Sequence, residues 1–438
     1  MVTEPSFRQD NASICAVLLF IIGLFSSTQI NLGGKLGISE FLMVAVAPFL
    51  FLKNYSLIKR DKVLYFFIFV ILWFMGAVIA DVVNKTYINF AMRGIAVPVT
   101  VFANTLCIYL LLRKNHESLK WLLLGIALSE VISIFIFQRG RSGDIAAAYG
   151  SAAGAQGVIN YKLFWVVMAT TWLGLPIKGW YKKTPKLYTV FALVFLCSFA
   201  LLMGARSLFL ALLCSFVLLI PAGKSRATLI YFKKHYLALI ISLIIAGGVA
   251  NFLYKQAVTS GYLNEGEEKK FERQTEFGSN IIKLLMAGRS EFFVALSAAM
   301  DSPLIGKGSV AIDDKGYIVD FLYNYGNQTD YINMIKRRAS EGVAIIPSHS
   351  HVVCYWMWHG IFALLFWASV FVLSLKTLFL RLHICPEYYG YCAMSLPIFL
   401  WDYFFSPFDH RVIESTLFAA LLLISKMTQD YKVGCYNY

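Results

Sequence analysis

Three short segments carry side chains that could act on an anionic substrate. Arg206 stands in Gly-Ala-Arg-Ser, a tight turn between two apolar runs, and Arg289 stands in Ala-Gly-Arg-Ser at the opening of a helical stretch. A guanidinium offers a planar fork of N–H donors that suits a phosphate, and Gly288 beside Arg289 lets backbone amides approach an anion. Each segment also has an ordinary interpretation, as an interfacial arginine that snorkels and as a plain helix start.

The third segment is Pro-Ser-His-Ser-His, residues 347–351, at the end of a long polar stretch. Histidine is the side chain best able to take up a proton near neutral pH, so His349 and His351 are candidate general bases. Two histidines one residue apart are a weak metal signal, because zinc sites need three or four ligands and the nearby chain offers no matching set. His359 lies further on, within an apolar run, which favours a buried and internally satisfied polar group.

The elements that must position these side chains are apolar. Of the 438 residues, 58% are hydrophobic and only 15% are charged, whereas soluble domains carry about a quarter charged residues. This composition excludes a soluble enzyme, a disordered protein and a disulfide scaffold. Apolar runs of about 20 residues can each cross a bilayer. Helices are the expected form of these runs, since lipid offers backbone groups no hydrogen-bond partners.

Hydropathy along the chain predicts an all-α polytopic membrane protein with about twelve transmembrane helices. The first nine belong to residues 1–254, and the last three to residues 351–438, which end in a cytoplasmic tail. The predicted spans are 13–29, 36–52, 63–80, 94–112, 121–137, 157–177, 187–203, 207–221, 236–254, 351–375, 388–405 and 412–425.

The positions of lysine and arginine predict which side each loop faces. With a cytoplasmic N-terminus, the inside segments hold twenty basic residues and the opposite short loops hold seven. Short basic loops resist translocation, so this bias places both termini in the cytoplasm. The seven outside residues are Lys35, Lys85, Arg93, Arg139, Arg141, Arg206 and Arg411. The net charge of +14 is therefore mostly a topological signal and does not indicate a nucleic-acid partner.

One connection is much longer than the others. Residues 255–350 form a polar outside loop between the ninth and tenth spans, with eleven basic and twelve acidic residues. Arg289, Ser290 and His349 belong to it, and His351 follows as the first residue of the tenth span. The last outward turn adds Asp409 and His410, which could be accessory.

The order of these motifs resembles the O-antigen ligase/polymerase superfamily. The resemblance rests on an outward Gly-x-Arg-Ser, on Gly-Arg followed by Asp-Ser-Pro-Leu-Ile-Gly-Lys-Gly (301–308), and on His-Ser followed by a glycine eleven residues after His349, Gly360. It covers about residues 187–375 by motif and the whole chain by topology. One departure is Trp358, where relatives often carry a glutamate.

The resemblance implies a GT-C-type integral-membrane glycosyltransferase in the bacterial inner membrane, with its active site on the periplasmic face. The donor would be a glycan on undecaprenyl diphosphate, whose lipid tail would remain in the bilayer, and a chain-length regulator would be a further partner. Arg206 and Arg289 would match the family's diphosphate-binding arginines, and His349 its catalytic histidine, with His351 as the adjacent alternative. Gly288, Ser290, Arg139, Arg141 and His410 would be accessory.

The expected reaction is the polymerisation of lipid-linked repeat units into O-antigen or a related polysaccharide, with inversion at the anomeric centre. Two arginines can stabilise the charge that grows on the diphosphate. The large loop lacks a carboxylate cluster at ligand spacing, so transfer is expected to need no metal or other cofactor. An O-antigen ligase that passes the glycan to lipid A-core remains an alternative, since it differs only in its acceptor. A transporter or flippase is the alternative from another class, although related halves with mid-membrane charges are not visible in the sequence.

Overall fold

The computed structural model describes residues 6–31, 35–135, 206–219, 289–325, 344–381, 386–406 and 411–435, together with a few isolated positions. Helices dominate these ranges. The described helices are α1 (Ser6–Leu24), α2 (Ile38–Arg60), α3 (Leu64–Val83), α4 (Ile88–Lys114), α5 (Leu119–Phe135), α6 (Arg206–Leu219), α7 (Ser290–Asp301), α8 (Tyr317–Tyr325), α9 (His351–Lys376), α10 (Pro386–Phe405) and α11 (Arg411–Cys435). A short antiparallel hairpin of β1 (Gln29–Asn31) and β2 (Lys35–Gly37) joins α1 to α2.

The described helices coincide with nine of the predicted spans. Five segments are long and apolar enough to cross a membrane: Ile38–Arg60, Leu64–Val83, Ile88–Lys114, His351–Arg381 and Arg411–Gln429. The chain is thus a predominantly helical, membrane-embedded protein. The predicted spans 157–177, 187–203 and 236–254 lie outside the described residues apart from isolated positions, so the count of twelve stays a prediction.

The helices pack in neighbouring pairs around an aromatic core. Helix α1 lies along α5, α3 along α9, α4 along both α2 and α11, and α6 along α10. At the contact between α3 and α9, Trp73 stacks on Phe366 with ring centroids 4.8 Å apart, and Trp367 packs edge-on against Trp73. These buried rings supply dispersion contacts, which hold membrane helices together where lipid tails are as apolar as the core.

Charged pairs tie helix ends that the distribution of basic loops places on the same side. On the predicted outer side, Arg411 at the start of α11 donates from Nε and Nη2 to the two oxygens of Glu40 on α2, each at 3.0 Å. On the predicted inner side, Asp61 accepts from Arg113 and, at 2.7 Å, from the Tyr109 hydroxyl. The described contacts therefore agree with one orientation for α2, α4 and α11.

Helix α9 is broken at Gly360, although the sequence predicts one continuous span there. Gly360 has φ 67° and ψ −153°, and the loop that follows α7, residues 302–308, fills the break. Lys307 N–H donates to Met357 O at 2.7 Å, Gly308 N–H to Trp358 O at 3.0 Å, and Ile361 N–H to Leu304 O at 3.0 Å. The loop thus satisfies backbone groups that a break within a membrane would otherwise leave unpaired. Gly306 and Gly308 in this loop also have positive φ.

Replacing Gly360 with alanine should strongly destabilise the fold. This backbone region is almost confined to glycine and strains other residues by about 1–3 kcal/mol, and an added Cβ would lie 2.1 Å from Leu304 O. We expect a clear fall in the midpoint of thermal unfolding in detergent, measured by fluorescence-detected gel filtration. Ser369→Ala, which removes only a local bond to Phe366 O from the same helix, should change stability by about 0.5 kcal/mol or less. Equal midpoints for Gly360→Ala and the parent protein would contradict the break.

Candidate active site

Arg289 is held at the start of α7 against the last turn of α10. Its Nη1 donates to Phe405 O at 3.0 Å, and its guanidinium carbon lies 5.4 Å from the centroid of the Trp401 ring and 5.8 Å from that of Phe405. Burial lowers the pKa of Arg289, while the nearby carboxylate of Asp402 acts in the opposite direction. A guanidinium held against two neighbouring rings and a carbonyl keeps its charge and has little orientational freedom to lose on binding an anion.

His349 contacts Glu291, which follows Arg289 by two residues in the chain. The Glu291 carboxylate, in the first turn of α7, contacts Nδ1 of His349. Both side chains are reachable from solvent, with exposed fractions of 45% for His349 and 38% for Glu291. The helix start that carries Arg289 therefore also carries the partner of the histidine. The grouping of Arg289 and His349 in one site stays a prediction, which the shared helix start makes sterically reasonable.

The end of α10 joins the two parts of the site. Ser350 is the N-cap of α9: its Oγ accepts from Val353 N–H and donates to Tyr403 O at 3.2 Å. Arg289 uses the carbonyl of Phe405, two residues further along the same turn. Because both bonds go to one short stretch of backbone, the starts of α7 and α9 are fixed relative to each other.

The third predicted residue, Arg206, is the first residue of α6, whose register against α10 is set by two bonds. Ser215 Oγ donates to Met394 O at 3.3 Å, and Tyr389 Oη donates to Leu218 O at 2.7 Å. The two helices therefore run antiparallel. Since helices rise equally per residue, the backbone at 206, nine residues before Ser215, is level with the turn of α10 that holds Arg289. The side chain of Arg206 lies outside the described part of the structure.

His351, the alternative base of the sequence analysis, is fully buried. Its ring packs against Trp367 and Phe408, with centroids 5.3 Å and 5.2 Å away, and its Nε2 lies 3.7 Å from Glu414 Oε1. A ring enclosed in this way cannot meet a substrate hydroxyl without moving its neighbours. The arrangement favours His349 over His351 as the group that faces a substrate.

The interpretation of His359 as a satisfied core group is confirmed. Trp73 Nε1 donates to His359 Nδ1 at 2.9 Å, so the ring proton is on Nε2, which contacts Ser309 Oγ at 3.0 Å. Ser309 in turn donates from Oγ to Asp81 Oδ2 at 2.8 Å. This buried chain of bonds pins the loop after α7 to α3 and α9. All four side chains are buried, so this chain of bonds stabilises the packing of these elements.

The remaining predicted residues divide between described and undescribed parts of the chain. Ser290 is the first residue of α7, where the sequence predicts a helix start. Gly288, Arg139, Arg141 and His410 lie outside the described residues, so their accessory roles stay predictions.

Sequence reasoning missed Glu291, Trp401 and Phe405. Glutamate is common in the first turn of a helix, because the positive end of the helix dipole stabilises its carboxylate. The position of Glu291 therefore gave no indication of a functional role. Trp401 and Phe405 read as ordinary apolar members of a span. Their contacts with Arg289 join positions more than 100 residues apart, and nothing in local spacing indicates them.

Together these groups can bind an anion and move a proton. Arg289 supplies a fixed positive charge, and His349 supplies a solvent-reachable base that is held by a carboxylate. Within the described residues, no group of three or more His, Cys, Asp or Glu side chains is arranged to hold a metal ion.

No protein-family model matches the chain, and no curated protein matches it significantly.

Proposed function

We propose that this chain is an integral-membrane glycosyltransferase of the GT-C type that polymerises undecaprenyl-diphosphate-linked oligosaccharide units into a surface polysaccharide. The observation that carries the proposal is that Arg289 and Glu291, the partner of His349, stand two residues apart at the start of α7, while Arg289 and Ser350, which follows His349, both bond to the end of α10. A fixed cation next to a reachable base suits a reaction in which a diphosphate leaves and a hydroxyl attacks.

The proposed reaction makes two demands that these side chains meet. Negative charge grows on the departing diphosphate, and Arg289 with Arg206 would stabilise it. The acceptor hydroxyl is a weak nucleophile until a base takes its proton, which would be the role of His349. Attack from the side opposite the diphosphate inverts the anomeric centre.

The proposed location follows from the predicted orientation of the helices. In a bundle of about twelve spans with both termini in the cytoplasm, the first turns of α7 and α9 and the last turn of α10 would face the periplasm. The bilayer of the inner membrane would hold the lipid tail of the donor, and the glycan would lie on the periplasmic side. The ties from Glu40 to Arg411 and from Asp61 to Arg113 fit the predicted pairing of helix ends, because each joins ends assigned to one side.

Two of the described charged pairs do not have the placement that a transporter site usually has. Transporter sites usually place ionisable groups near the bilayer midplane, on broken helices of two related halves. Here Glu40 and Arg411 lie in the first turns of α2 and α11, and Asp61 and Arg113 at or beside the ends of α2 and α4. Each carboxylate is bonded within its pair, which leaves these groups tied into the frame.

The experiment that tests the proposal is a transfer assay with the purified chain in lipid nanodiscs. The protein is incubated with undecaprenyl-diphosphate-linked oligosaccharide from cells that produce it, with and without lipid A-core, and the products are sized. Ladders of repeat units without core acceptor are expected. Transfer only when lipid A-core is present would identify the ligase instead, and no transfer in either case would contradict both.

The same assay in excess chelator tests the role assigned to the arginines. If the guanidiniums supply the positive charge, we expect the rate with 10 mM EDTA to stay within about twofold of the untreated rate. Mg²⁺ added back serves as the control. A loss of transfer that returns with the metal would contradict metal-independent transfer.

A further inference from the structure

The carboxylate of Glu291 determines which ring nitrogen of His349 can accept a proton. An ionised carboxylate only accepts hydrogen bonds, so the His349 nitrogen that it contacts, Nδ1, must be the donor and carry the proton. In the neutral ring the lone pair then lies on Nε2. We propose that Glu291 is a positioning residue that fixes this tautomer and orients the ring of His349, so that Nε2 is the base of the proposed glycan transfer.

The two neighbouring histidines of α9 show how specific this arrangement is. His359 receives a hydrogen bond from Trp73 on Nδ1 and therefore holds the opposite tautomer, locked in the core. His351 also has a carboxylate nearby, that of Glu414, but its ring is buried. Among these three described histidines, His349 alone combines a carboxylate on Nδ1 with access from solvent.

The position of Glu291 in the chain links the two halves of the site. It follows Arg289 by two residues, so one helix start holds both the predicted diphosphate ligand and the partner of the base. An exposed ion pair without such a role contributes little to the stability of the fold. The structure contains such a pair on the same helix: Asp301 at the end of α7 bonds Lys315 at 2.9 Å, with both side chains well exposed.

The inference rests on the proposed function, in which the acceptor oxygen replaces the diphosphate at the anomeric carbon. The acceptor O–H bond breaks as its oxygen bonds to the anomeric carbon, and the proton goes to Nε2 of His349. The bond from the anomeric carbon to the diphosphate breaks, and its electron pair leaves with the diphosphate. The imidazolium, stabilised by Glu291, then releases its proton to water.

The test compares Glu291→Gln and Glu291→Asp in the full chain in nanodiscs. In Glu291→Gln, the amide N–H₂ group can donate to Nδ1 and favour the wrong tautomer, so kcat should fall about 10- to 100-fold while KM changes about twofold or less. Glu291→Asp keeps the charge and should lose about threefold or less. Asp301→Asn, which removes a carboxylate from the same helix, is the matched control and should keep the parental rate.

A second readout separates this inference from the proposed function. In ¹⁵N-histidine-labelled protein, the His349 signals, assigned by their loss in His349→Ala, should show Nδ1–H in the parent and a shift toward Nε2–H in Glu291→Gln. An unchanged tautomer with unchanged kcat in Glu291→Gln, or equal losses in Gln and Asp, would overturn the inference. A chain that transfers no glycan yet shows the tautomer shift would retain the positioning contact and lose the proposed reaction.

Discussion

Arg289→Ala should lower kcat for transfer of the lipid-linked glycan by about 100- to 1,000-fold. Removal of one preformed donor to growing negative charge has an effect of this size, about 2.7–4 kcal/mol of barrier. Arg289→Lys should recover part of the rate, because lysine keeps the charge but lacks the planar fork that reaches both the Phe405 carbonyl and a phosphate. The measurement is the initial rate of product formation at saturating donor, with the unfolding temperature of each variant as a check on folding.

A matched arginine on the predicted inner side provides the control for Arg289. Arg381 donates from Nη1 to Ser425 Oγ at 2.8 Å and lies at the other end of α9 from the site. Arg381→Ala should leave kcat within about twofold of the parent, because it contacts none of the reacting groups. A folded Arg289→Ala protein with the parental rate would remove Arg289 from the mechanism.

His349→Ala should lower kcat by about 100- to 10,000-fold, the range expected for the loss of a general base. KM for the donor should change little, because Arg289 and the lipid tail remain to bind it. His351→Ala should behave differently: the buried ring leaves a cavity among Trp367 and Phe408, which lowers the unfolding temperature and spares the chemical step in the folded fraction.

The contrast between the two histidines is measured by kcat per folded molecule and by unfolding temperature on the same samples. The pattern expected is a chemical defect in His349→Ala and a stability defect in His351→Ala. The reverse pattern, with an inactive but stable His351→Ala and an active His349→Ala, would assign the base to His351.

The positions of the membrane-spanning helices could be predicted, because they depend on the local run of apolar residues along the chain. Runs of apolar residues mark spans because a bilayer requires them, and α2, α3, α4, α9 and α11 lie where those runs lie. The start of α7 beside Arg289 and the entry of the chain into α9 after His349 were also predicted, since glycine, serine and proline mark such boundaries.

The break at Gly360 and the role of Glu291 could not be predicted in the same way. Apolar residues on both sides of Gly360 satisfy a hydropathy criterion whether the helix is continuous or broken, and the break depends on the loop through Leu304 and Lys307, some 50 residues earlier. Glu291 meets His349 across 58 residues of sequence. Contacts of this kind depend on tertiary packing, and they leave no pattern in the local spacing of residues.

The proposed function requires Arg206 and Arg289 to bind one diphosphate at the end of α10, with the imidazole of His349 close enough to take the proton of the acceptor hydroxyl. A cryo-EM reconstruction of the chain in nanodiscs with undecaprenyl diphosphate tests this directly. The expected result is diphosphate density within about 3.5 Å of the guanidiniums of Arg206 and Arg289, with the lipid tail along the spans and His349 facing the glycan side. Diphosphate density at the opposite end of the bundle, near Arg113 and Asp61, would contradict the account.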